Sequence, residues 1–274
     1  MFVKLQYMKF NKLEVAYMLQ KEGIGRKYVI EHILHHQVFR LDQKTLRKFG
    51  NLMLSQNIKV LSCNDSEYPQ LLKEIYDFPL VLFCKGNTKL LNKEMITIVG
   101  TREMTKYGKW CVRYMLEGVK EQDIVVVSGL ARGIDAQVHQ QCLDLGIPTV
   151  AVVAGGIDKG YPKSNKGLYQ EIAKNGLIIS EFPPGRVIVK GMFPVRNRIL
   201  AGLSLAIVVV ESGEQGGSLI TARMALEYGR EVFCIPCGIN RFALQGCNIL
   251  LERGSAPLYS PKQLTTFLSD RFKY

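Results

Sequence analysis

The chain has 274 residues, 47% hydrophobic and 22% charged, the balance of a folded protein with one large domain or a large one plus a small one. Its 36 Lys and Arg against 24 Asp and Glu leave a net charge of +12, which makes a polyanion a plausible partner. Its longest apolar run (203–210) is far short of the ~20 residues that cross a bilayer, the opening MFVKLQYMKFNK lacks the apolar centre of a secretory signal, and seven scattered cysteines suit free thiols in a reducing cytoplasm.

Charge divides the chain. Residues 1–60 hold 11 Lys and Arg against 4 Asp and Glu, a net +7, and the remaining 214 hold 25 against 20, a net +5. The first stretch reads as an all-helical domain. Leu13, Tyr17 and Met18, and then Val29, Ile30, Ile33 and Leu34, recur at helical spacing. Gly23-Ile24-Gly25 breaks them, and Asp42 is a good N-cap for a third helix ending near Ser55. Helix–Gly-x-Gly–helix resembles the helix-hairpin-helix module, whose loop amides can hold a phosphate. The glycines equally serve as a plain turn in a small bundle. Residues 57–78 look like a connector with one strand and one short helix.

Residues 61–274 form the second domain. Strand candidates at 80–84, 95–99, 124–127, 149–153, 177–180, 205–210 and 231–235 alternate with helical stretches at 108–121, 134–145, 168–175, 192–201 and 217–228, and the tail 260–274 can add a helix. Val- and Ile-rich runs without polar alternation predict strands buried on both faces. Alternation with helices then predicts a doubly wound, mostly parallel α/β sheet. Ligands of such sheets sit beyond the carboxyl ends of the strands.

Five loops at those ends carry the chemistry. Gly100-Thr101-Arg102 offers outward amides and a guanidinium that forks a phosphate. Ser128-Gly129-Leu130-Ala131-Arg132-Gly133 sets an arginine between glycines at a helix start. Asp135 can support that start, and His139, one turn on, can pair with it for proton transfer or simply to fix the loop. Gly155-Gly156 precedes Tyr161, Lys163 and Asn165. There Tyr161 can stack on a base and Lys163 can neutralise a phosphate, or Tyr161-Pro162 can pack under the loop while Ser164 caps the next helix. Arg196, Asn197 and Arg198 lie among apolar neighbours, so the arginines need an anionic partner, which Glu211 can supply. Gly217, Ser218 and Thr221 close a glycine-rich entry to the last helix of the set. G-x-G-x-x-G is absent and so is the G-x-x-x-x-G-K-[ST] loop, which disfavours NAD binding and ATP hydrolysis of those types. Cys234-Ile235-Pro236-Cys237 has C-x-x-C spacing, but it ends a β-run and has no second pair, which disfavours redox or zinc chemistry. No cofactor and no metal are expected.

The order and spacing of GTR, SGLARGID, YPKSN, FPVRNRILAGLS, GSLITA and GREVFCIP over roughly residues 65–256 resemble the DNA-processing protein A family (DprA, also called Smf). The resemblance implies a Rossmann-like domain that binds single-stranded DNA, dimerises through that domain, protects incoming strands in natural transformation and helps load the RecA recombinase. It implies that Arg102 matches the family's phosphate-binding arginine, Lys163 the basic residue of its YP-x-x-N loop, and Arg196, Asn197 and Arg198 its RNR element. Gly216-Gly217-Ser218 stands where the family usually has Ser-Gly-Ser, and Cys237 stands near a common glycine. The chain stops too early for the winged-helix domain that some members carry. Apolar content and resemblance make 244–251 a candidate dimer surface.

The expected function is therefore a non-enzymatic cytoplasmic mediator. One rival is a nucleotide-processing enzyme resembling nucleoside-monophosphate phosphoribohydrolases, with Asp135, His139 and Glu211 as acid/base candidates. Their Pro-Gly-Gly-x-Gly-Thr-x-x-Glu motif is not reproduced. The other is a scaffold that recruits the recombinase, with DNA binding incidental.

Overall fold

The computed structural model describes residues 10–20, 26–34 and 41–270. Gly23-Ile24-Gly25, the turn of the candidate hairpin, lies outside the described residues. The N-terminal helices are α1 (Lys12–Gln20), α2 (Arg26–Leu34) and α3 (Gln43–Ser55). Asp42 caps α3 as its spacing predicts, accepting from Thr45 N at 2.8 Å. These helices do not stand apart. Val15, Val29 and Phe49 share one apolar core with Leu61 and Leu72 of the next segment, and Lys12 reaches Asp65 at 2.9 Å.

The rest alternates. In chain order it runs β1 (Lys59–Ser62), α4 (Gln70–Glu74), β2 (Val81–Gly86), β3 (Met95–Val99), α5 (Lys106–Val119), β4 (Val125–Ser128), α6 (Ile134–Leu145) and β5 (Thr149–Val152). It continues α7 (Lys166–Asn175), β6 (Leu177–Ser180), α8 (Met192–Leu203), β7 (Ala206–Val209), α9 (Gly217–Glu227), β8 (Glu231–Cys234), α10 (Gly246–Glu252), β9 (Ala256–Pro257) and α11 (Pro261–Asp270). Nine strands make one sheet in the order β1-β2-β6-β5-β4-β3-β7-β8-β9. From β6 through β9 neighbouring strands are parallel, and only the β1–β2 and β2–β6 pairs are antiparallel. Every residue of β3 to β7 is buried, which is why those runs show no polar alternation.

Two apolar layers sandwich the sheet. Helices α5, α6 and α11 bury Val112, Val138 and Leu264 on one face. Helices α7, α8 and α9 bury Ile172, Leu200 and Ala222 on the other. The chain runs outward from β3 through β4 and β5 to β6, then returns across the sheet to place β7 on the other side of β3. That reversal opens a crevice beyond the carboxyl ends of β3 and β7, where a doubly wound sheet takes its ligands. Among the described residues no helix is long and apolar enough to cross a membrane.

Candidate functional site

The five loops meet at that crevice. The loop after β3 is tied to the loop after β7 by Thr101 N donating to the Glu211 carbonyl at 2.7 Å, and to α6 by Ile134 N donating to the Thr101 carbonyl at 3.1 Å. Two depressions of about 240 and 530 Å3 share Arg102, Ala131, Phe193 and Arg196, so they form one groove. Tyr161 and Arg132 line one end, and Gly217, Ser218 and Thr221 the other.

Arg196 forms the floor. It is 6% exposed, its Nη1 lies 3.4 Å from the Val152 carbonyl and 3.8 Å from Asp135, and its Nε has no hydrogen-bond partner among the described residues. A Cβ at position 129 would sit 1.3 Å from Nη1, so Gly129 is the gap through which the guanidinium passes. Burial lowers its pKa, Asp135 opposes that shift, and the like charge of Arg102 adds to it. Burial raises the Asp135 carboxyl, against the pull of Arg196. Asp135 also takes the Ala131 N–H at 3.4 Å, which supports the start of α6. Arg102 lies above, its guanidinium 5.3 Å from the Phe193 ring, and Phe193 meets Tyr161 at 5.9 Å. Asp135 thus faces the Arg196 guanidinium, with Arg102 and Glu103 in the same groove wall and an aromatic pair beside them.

Several candidates serve the loops themselves. Asn165 donates to the carbonyls of Leu130 (3.0 Å) and Ala131 (3.2 Å), holding the turn in which Leu130 takes a left-handed φ of 56°. Gly133 (φ 77°) brings its backbone against Thr101, where a Cβ would meet the carbonyl oxygen at 2.3 Å. A Cβ at Gly155 would lie 2.2 Å from Ile188, and Gly156 N donates to the Arg186 carbonyl at 3.1 Å. That glycine pair therefore receives the protein's own β6–α8 loop. Gly100 is likewise filled by Ile134. Ser128 donates to the Ile98 carbonyl at 2.7 Å, joining β4 to β3. Ser218 donates to Ser212 at 2.8 Å, and Asn197 to the Gly217 carbonyl at 3.3 Å. Lys163 is exposed beside the groove residues Pro162 and Ser164.

Arg198 turns away from the groove. It pairs with Glu181 and, at 3.7 Å, with Asp77. Glu211, expected as a partner for these arginines, instead accepts from the Thr105 N–H (3.0 Å) and the Thr105 hydroxyl, locking the N-terminus of α5. Asp135 and His139 do not pair either. His139 is fully buried and its Nδ1 meets Thr149 Oγ1 at 2.8 Å; burial lowers its pKa to about 3. Cys234 is buried with its pKa pushed up to about 12, the reverse of a reactive thiolate. Phe193 lies in an apolar stretch that suggests burial, yet its ring is part of the groove wall. Lys190 and Gln215, also in the wall, carry no sequence signal beyond lying in loops.

Fold and groove together define a Rossmann-like α/β protein with arginines and aromatics gathered at its strand switch point. The family model described as DNA recombination-mediator protein A matches residues 59–269. The DNA processing protein DprA of Streptococcus pneumoniae is 42% identical over 200 residues, covering 73% of this chain and 71% of that protein. The X-ray structure of DprA from the same organism aligns over 94% of this chain and 87% of its own, with a TM-score of 0.77 and 35% identity. DNA processing protein A from Helicobacter pylori, a structure presented for its single-stranded DNA binding mode, aligns over 78% of this chain and 96% of its own, with a TM-score of 0.71 and 31% identity. The chain belongs to the DNA recombination-mediator protein A family, whose role lies in DNA processing and recombination.

Proposed function

We propose that the groove holds the sugar–phosphate backbone of single-stranded DNA, in a cytoplasmic homodimer that shields the strand and passes it to the RecA recombinase. The observation that carries this reading is Arg196. A buried guanidinium whose Nε is unpartnered among the described residues, whose ion pair with Asp135 is 3.8 Å long and which feels the like charge of Arg102, is stabilised by an incoming anion. Phe193 and Tyr161 beside it offer ring faces that any base can stack on, the requirement of a sequence-tolerant site. Family membership and the single-stranded DNA binding of the Helicobacter pylori relative support the choice of polyanion. Arg102, Arg132 and Lys163 supply the exposed positive charge. Residues 1–60 act as a basic module whose described helices pack on the segment that follows.

In this reading the protein turns nothing over. The three acid/base candidates of the rival enzyme are each engaged elsewhere, since Asp135 faces Arg196, His139 faces Thr149, and Glu211 caps α5.

Titrating an end-labelled oligo-dT at several salt concentrations tests the proposal. Binding should weaken with salt, with a log–log slope of about −0.7 for each phosphate neutralised on a single strand. Arg102→Ala should lower affinity about tenfold and make the slope shallower by about that amount. Salt-independent binding, or preference for duplex of the same length, would refute it.

A further inference from the structure

Helix α5 leaves the edge of the groove as Lys106-Tyr107-Gly108-Lys109-Trp110-Cys111-Val112-Arg113-Tyr114. Its inner face buries Cys111, Val112 and Met115 against the sheet. Its outer face does not follow the usual pattern of charge alone. Tyr107, Trp110 and Tyr114 are 43%, 55% and 38% exposed. Separated by three and four residues, they share one side of the helix. Their rings lie nearly parallel: Tyr107 and Trp110 are 6.2 Å apart at 20°, and Trp110 and Tyr114 are 5.0 Å apart at 11°. A contiguous row of exposed aromatics marks a surface that something covers.

The charge around the row says what covers it. Lys106 and Lys109 are exposed and make no ion pair among the described residues, while Arg113 is exposed beside Glu117. Cations interleaved with rings suit a polyanion that also presents flat faces. The row is continuous with the groove as well. Thr105, the cap of α5, comes three residues after Arg102, and Glu211 ties both ends of that turn through its carboxylate and its carbonyl. From Tyr107 to Tyr114 the helix rises about 10 Å. That is the length of about three bases at the ~3.4 Å rise of a stacked strand.

We propose that Tyr107, Trp110 and Tyr114 form a second contact for single-stranded DNA, a base-stacking platform that receives the strand as it leaves the groove. The proposal rests on the reading that the groove binds the strand. Lys106 and Lys109, which helical spacing puts on one flank of the ring row, then meet phosphates there, and the rings accept bases without regard to sequence.

Trp110 is the chain's single tryptophan, so tryptophan emission reports on this row alone. The test follows two signals as a labelled 20-nucleotide oligo-dT is added to the full chain: anisotropy of the label for binding, and tryptophan emission for stacking. Emission should be quenched in step with the rise in anisotropy. Trp110→Ala with Tyr114→Ala should lower affinity about tenfold, Trp110→Phe should keep most of it, and Lys106→Ala with Lys109→Ala should flatten the salt slope by about 1.4. If anisotropy rises while emission and the affinity of the double aromatic variant stay unchanged, the platform is refuted and the groove stands. If anisotropy does not rise at all, both fall. If emission instead depends on protein concentration without DNA, a second copy of the chain covers the row and the platform is refuted.

Discussion

Two deeply buried ionisable side chains of α6, Asp135 and His139, lie one turn apart and do opposite things. Asp135 keeps its carboxylate against Arg196, where taking one member away leaves the other charge buried without a partner. His139 is held neutral. Thr149 gives its hydroxyl proton to the Val126 carbonyl at 2.8 Å, so it accepts from Nδ1 of the imidazole, which fixes the tautomer. With a native pKa of about 3 against about 6.5 when unfolded, the unfolded chain takes up a proton below pH 6.5 that the native chain refuses until about pH 3. This contribution is complete above pH 6.5 and is lost as pH falls towards 3. From pH 7 to pH 5 it amounts to about 2 kcal/mol. His139→Gln should start less stable at pH 7 and then lose about 2 kcal/mol less than the parent chain over that interval, read from urea melts at the two pH values. Equal losses would show that His139 is not the acid-sensitive group. The sequence places these two residues on one helix face, but it cannot show that β5 offers His139 a closer partner.

At the scale of elements, the loop after β7 builds the start of α5. The Glu211 carboxylate accepts from both donors of Thr105, at a helix N-terminus where negative charge is favoured, and it fills the space beside Gly108, where a Cβ would meet it at 2.2 Å. Glu211→Gln keeps the shape but removes the charge and turns an amide NH2 towards a donor. It should destabilise the chain by about 2 kcal/mol in thermal or urea melts and weaken oligo-dT binding, because the same turn carries Arg102. A variant as stable as the parent would show that the carboxylate is dispensable there. The positions of these elements were legible. The seven strand candidates fall within two residues of β2 to β8, because continuous Val and Ile runs with glycine at their carboxyl ends have few other readings. What fills the glycines was not legible. A glycine announces close approach, not its partner. Here Gly129 admits Arg196, Gly155 admits Ile188 and Gly100 admits Ile134, where the sequence suggested a ligand. The antiparallel direction of β2 and the two-residue β9 also escaped, since pairing direction and so short a strand leave no periodic trace.

For the whole molecule, the +12 charge and the groove are separate matters. Most of the excess lies in residues 1–60, whose described helices share their core with β1 and β2, whereas the groove sits at the switch point between β3 and β7. Charge far from the contact steers encounter through the long-range field, and salt screens it within about 10 Å. Charge at the contact releases counterions and sets the equilibrium slope. Lys44, Arg47 and Lys48 are exposed on α3, so reversing them tests the distinction without touching the core. Lys44→Glu, Arg47→Glu and Lys48→Glu together lower the net charge by six. If the groove and its flanking helix make the phosphate contacts, stopped-flow association with oligo-dT should slow several-fold at low salt and converge on the parent rate at high salt. The equilibrium salt slope should change by less than one contact's worth, about 0.7. A slope reduced by about 2 would instead place three phosphates on α3 and make the N-terminal helices a DNA-binding surface in their own right.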